Sequence, residues 1–133
     1  MTNQEKYEYW LEYAEYDLQT AAAMLASGRW LYVVFMCQQA LEKLVKGLYL
    51  LYVDDNVPKL HNIGNLLSKF ADRIPEPVTD EKYQLFERLS SYYLNARYPA
   101  YRDKLSKITD ENSAKLLFEQ SKEAFKWLLT LKP

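Results

Sequence analysis

Apolar residues recur every three or four positions through most of this chain, and nowhere do they alternate with period two for long. Helices are therefore expected throughout. The first spans about Gln4 to Ala26, where Trp10, Ala14, Leu18, Ala21 and Leu25 fall on one face. Gly28 in "SGRW" can end it in a left-handed conformation. The second helix runs from about Trp30 to Tyr52 and is apolar almost all round, which places it at the centre with neighbours on most sides. Its polar stripe, Gln39, Glu42, Lys43 and Lys46, falls within about 100° of arc.

The loop "VDDNVPKLH" leads to a shorter third helix carrying Ile63, Leu66, Leu67 and Phe70. "RIPEPVT" ends it, because two prolines two apart cannot continue a helix. A fourth helix begins near Thr79, a good N-cap with Asp80 and Glu81 behind it, and presents Leu85, Leu89, Tyr92 and Ala96. A fifth follows "KITDEN" with Asp110 as its cap and buries Leu117, Phe118, Ala124, Phe125 and Leu128. The pattern predicts an all-α, antiparallel up-and-down bundle of four to five helices, with residues 1–133 as a single domain.

Composition changes this picture little. At 49% hydrophobic and 26% charged the chain is expected to fold, and a net charge of −1 draws it neither to nucleic acid nor to an anionic membrane as a whole. Any anion site must come from local clustering. The single Cys37 sits among apolar neighbours and reads as a core residue in a reducing compartment. There is no signal-peptide pattern, and "WLYVVFMC", the longest apolar run, is too short to span a bilayer. A cytoplasmic protein without membrane contact is expected.

Candidate chemistry gathers near "NARYP". Arg97 stands at the last position before Tyr98 and Pro99 turn the chain. It is either a cation meeting a helix C-terminus or the anion-binding group of a site. The segment that follows, "RYPAYRDKLSK", holds Arg97, Arg102, Lys104 and Lys107 against Asp103, with Tyr98 and Tyr101 between them. Cations interleaved with aromatics can track a phosphate backbone and stack bases, and a solvated connection reads the same way. Glu42 and Lys46 form an i,i+4 pair, yet the rest of their helix reads as buried, so the stripe should line a groove or an interface.

His61 is the only histidine, a local hydrogen-bonding residue or a weak catalytic candidate. Tyr9, Tyr13 and Tyr16 follow helical spacing beside the first helix's core face, as a core edge or dimer surface would. One Cys and one His make no metal-ligand set, no Gly-rich phosphate loop exists, and neither cofactor nor metal is expected.

"WLEYAEYDLQTAAAML", "CQQALEKLVKGLYL", "PKLHNIGNLL" and "NARYP" together resemble the HEPN domain, the higher-eukaryote and prokaryote nucleotide-binding family, over about residues 4–130. The resemblance implies an antiparallel helical bundle, commonly a homodimer. It also implies partnership with a separate minimal nucleotidyltransferase in a two-component, toxin–antitoxin-like module. Other members are metal-independent ribonucleases in which an Arg is followed after four to six residues by a His. Here those positions hold Arg102, Asp103 and Lys104, none of them a good general base near neutral pH.

Three readings follow. The first is a module binding nucleotide or RNA phosphates through Arg97, Tyr98, Arg102, Lys43 and Lys46. The second is a ribonuclease toxin using Arg97 with His61. The third is a purely structural oligomerisation partner.

Overall fold

The computed structural model describes residues 1–95 and 98–133, the side chains of residues 94 and 95 excepted. Six helices are present among them: α1 (Asn3–Ala26), α2 (Trp30–Tyr52), α3 (Ile63–Ser68), α4 (Asp80–Asn95), α5 (Pro99–Ile108) and α6 (Glu111–Leu129). Every regular element among the described residues is helical, as the periodicity predicts, with one helix more than the upper expectation. The addition is α5, which occupies the basic-aromatic connection. Tyr98 is extended (φ −107°, ψ 126°), as a residue before proline must be, and Pro99 takes the first helical turn, where its missing N–H is no loss. Ala96, expected on the apolar face of α4, lies outside the described residues, as does Arg97.

Local signals set the helix ends. Thr2 and Glu5 form a reciprocal capping box at the start of α1, and Gly28 adopts φ +75° just beyond its end. Asn62 caps α3 and Asp110 caps α6. The Ser113 N–H, donated to Asp110, holds that carboxyl below its usual range.

Helix α2 is the axis. It touches each of the other five helices, and from Leu44 to Leu50 every residue is buried. The α1–α2 turn makes these two antiparallel neighbours: Asp17 meets Lys43 mid-helix, while Tyr7 and Trp10 meet Gly47 further along. Leu41, Leu44, Leu48, Phe70, Phe86, Leu117 and Leu128 fill the core beside them. Ile63, Leu66, Leu67 and Phe70 are buried as the pattern of α3 requires.

Two consequences can be measured. A Cβ built on Gly47 would lie 3.0 Å from the Trp10 Cβ and 3.1 Å from the Tyr7 ring, so α1 and α2 approach closely there. Gly47→Val should cost about 1–3 kcal/mol by overpacking, seen as a lowered urea midpoint with unchanged slope. Cys37 is fully buried, and burial pushes its thiol from 9.0 up to about 12 against a weaker pull from the Ser121 hydroxyl. Native protein should therefore resist a thiol reagent at pH 8. Above pH 9 the unfolded chain loses the proton that the folded thiol keeps, so stability should fall progressively towards pH 12.

Candidate functional site

The polar stripe of α2 is a buried network. Glu42 is almost completely covered, and three groups meet its carboxylate. Lys46, one turn on and also buried, lies 3.0 Å from Oε2. Gln38, one turn back, donates its amide to Oε1 at 2.8 Å and to the His61 carbonyl at 3.1 Å. Nδ1 of His61 lies 3.2 and 3.3 Å from the two carboxylate oxygens. A carboxylate only accepts, so the Nδ1–H of His61 donates to it. The ring's Nε2 lies 3.2 Å from the Tyr93 hydroxyl of α4. The imidazole also stacks on the Tyr93 ring with centroids 4.1 Å apart.

Local backbone contacts hold His61 in this place. It precedes the Asn62 cap, and the Ile63 N–H is bound by Ser90 Oγ of α4 at 3.0 Å. The start of α3 is thus tied to both α2 and α4. A second ion pair, Lys43 with Asp17, bridges α2 to α1, and Lys43 also sits 5.9 Å from the Tyr13 ring.

Aromatic rings connect this network to the other end of α2. Phe35 stacks on Tyr93 with centroids 6.0 Å apart, and Tyr32 meets Phe35 edge-on at 6.4 Å. Arg102 of α5 donates to the Tyr32 hydroxyl, its guanidinium 5.5 Å from that ring. Beside it lies a cleft of about 290 Å³ lined by Gly28, Arg29, Trp30, Leu31, Tyr32, Arg102, Ser106 and Thr109. A larger groove, about 490 Å³, runs between α4 and α6 around Trp127, but Glu81, Glu119 and Glu123 line it. Size favours the larger groove for ligands in general; charge favours the smaller one for phosphate.

The expected site residues thus separate into groups. His61 and Lys46 are joined through Glu42. Lys43 is engaged with Asp17. Tyr98, just before α5, and Arg102, within it, are neighbours; Tyr98 is exposed and meets Tyr101 edge-on at 6.4 Å. Tyr32 and Lys46 are fourteen residues apart on one helix, about 21 Å, so these groups do not converge on one pocket. Both lysines already face carboxylates, whereas Arg102 has no carboxylate partner among the described residues. Arg97, the centre of the expected site, lies outside the described residues.

Gln38, Asp17, Arg29, Tyr32 and the role of Tyr93 were not foreseen. Asp17 had a legible signal: it sits between Ala14 and Ala21 on the buried arc of α1, where a carboxylate requires a cation.

The family model of the HEPN domain matches residues 7–131. The chain belongs to the HEPN family. Two solved structures share the HEPN fold seen here. TT1696 from Thermus thermophilus aligns with a TM-score of 0.79 at 24% identity, over 94% of this chain and 97% of that one. ST0689, described as an archaeal HEPN homologue, aligns with a TM-score of 0.74 at 22% identity, over 96% and 98%. No curated protein matches this HEPN chain in sequence. Among the described residues, no helix is long and apolar enough to cross a membrane. Nor does any group of three or more His, Cys, Asp or Glu among them stand ready for a metal ion.

The buried network makes a testable claim about this HEPN domain. Removing one partner of a shielded ion pair strands the other, so Glu42→Ala should cost about 3–5 kcal/mol in urea unfolding. Glu42→Leu combined with Lys46→Met should recover much of that loss. A loss under about 1 kcal/mol for Glu42→Ala would mean that water reaches the pair.

Proposed function

We propose that this HEPN protein is a single-domain module that binds nucleotide or RNA phosphates on the surface formed by α5 and the start of α2. One observation carries the reading: Arg102 is held by Tyr32 at the mouth of a cleft, with no carboxylate among the described residues to neutralise it. Tyr98 and Tyr101, exposed at the start of the same helix, one as its cap and one in its first turn, offer rings for base stacking, and Lys104 and Lys107 extend the positive surface. Arg97, which precedes Tyr98 in the sequence, enters the reading through the motif alone. Lys43 and Lys46, paired with Asp17 and Glu42 further along α2, stand apart from this surface.

Partnership with a separate minimal nucleotidyltransferase, in a two-component module, is supported by the motif resemblance. A homodimer is supported by the exposed row of Tyr9, Tyr13 and Tyr16 on α1. A second reading, a metal-independent ribonuclease, is favoured by the geometry at His61. Its Nδ1 faces a buried carboxylate and its Nε2 meets the Tyr93 hydroxyl.

Arg102→Ala should weaken binding of a single-stranded oligoribonucleotide about fivefold to tenfold. It should also reduce the slope of log affinity against log salt by about 0.7, one phosphate contact. Unchanged affinity and slope would remove this surface from consideration. Incubation with RNA under chelator separates the second reading: cleavage lost in His61→Ala supports it, and intact RNA at high protein concentration ends it.

A further inference from the structure

We infer that the cleft between α5 and the α1–α2 turn takes a phosphate monoester, the terminal phosphate of an RNA or a mononucleotide, held between Arg29 and Arg102. This rests on the phosphate-binding reading above and names the part of the ligand that this cleft selects.

The charges of the lining suggest it. Arg29 and Arg102 contribute two positive charges, and none of the lining residues is acidic. An internal phosphodiester carries a single negative charge, so it would leave one guanidinium uncompensated. A phosphate monoester carries about −1.5 to −2 at neutral pH and presents three acceptor oxygens. Two planar donor forks match that ligand in both charge and hydrogen bonding.

Size points the same way. At about 290 Å³ the cleft falls just below the roughly 300–1,000 Å³ typical of small-molecule sites, a scale that suits a phosphate with its sugar. Trp30 and Tyr32 form walls on which a ribose or base can rest, and Ser106 adds a hydroxyl. Gly28, at φ +75°, brings the chain round so that Arg29 and Trp30 stand at the cleft. No side chain caps the first turn of α2, which forms one wall. The guanidinium pair carries the assignment, and the uncapped turn adds to it.

The test uses one short oligoribonucleotide sequence made with a 5′-phosphate, with a 3′-phosphate or with hydroxyls at both ends, each with an internal dye for anisotropy. One or both phosphorylated forms should bind roughly tenfold more tightly than the hydroxyl form, about 1.4 kcal/mol. Which end gains identifies the source of the monoester, and competition by a nucleoside monophosphate alone would identify a free nucleotide as a third. Arg29→Ala should erase the preference and Arg29→Lys should restore part of it. Arg29 is exposed and its side chain makes no hydrogen bond among those described, so both variants should keep the wild-type thermal melt. Equal affinity for all three oligonucleotides overturns the monoester assignment while leaving phosphate binding intact. A preference that persists in Arg29→Ala overturns this cleft as its location. Absence of binding by every form at low salt overturns both readings together.

Discussion

The structure depends on how a central helix accommodates charge. Helix α2 touches every other helix, so a carboxylate at position 42 has almost no water to face. An ionised carboxylate in that position requires both a counter-charge and hydrogen-bond donors. Lys46 supplies the charge, and Gln38 and His61 complete the donors. Satisfying one buried group therefore brings residues from α2 and the segment before α3 to one point. Hydrophobic burial would tolerate several rotations of these helices; this constellation specifies one.

The same network gives the short α3 its position. A six-residue helix has little stability of its own, because helix nucleation is costly. Here its start is held by the Gln38 amide on the His61 carbonyl and by Ser90 on the Ile63 N–H. The rings of His61, Tyr93 and Phe35, stacked in turn, and Tyr32, edge-on to Phe35, then run from the buried carboxylate to the basic end of the molecule. A net charge of −1 conceals an uneven distribution: Glu5, Glu8, Glu12 and Glu15 are exposed along α1, while Arg102, Lys104 and Lys107 are exposed on α5. Fields at a surface depend on that distribution and not on the total.

Much of the fold was legible in the sequence because periodicity and caps agreed. Trp30–Tyr52 came out at its expected bounds, Gly28 took the left-handed conformation, and Asp110 capped the last helix. Helix α5 escaped because its apolar positions are too few for a buried stripe, so a helix and a solvated connection share one pattern. The site was less legible for a different reason. That Glu42 and Lys46 pair follows from their spacing, but that His61 meets Glu42 depends on the path of a loop. Gln38 looked like an ordinary neighbour of Gln39, and its amide finds the His61 carbonyl only through the path of that same loop. Arg29 and Tyr32 acquire meaning only when α5 lies across the head of α2.

Helix α5 buries no side chain completely, and its packing against the core runs through the half-covered Leu105. The free energy that keeps it folded is therefore a small share of the global stability, and its amides should exchange with solvent well before those of α2. A ligand gripped at Arg102 would have to immobilise this segment as it binds, trading part of its contact energy for lost conformational entropy. Affinity at that end of the molecule is thus adjustable by helix propensity alone, at positions on α5 that never touch the ligand.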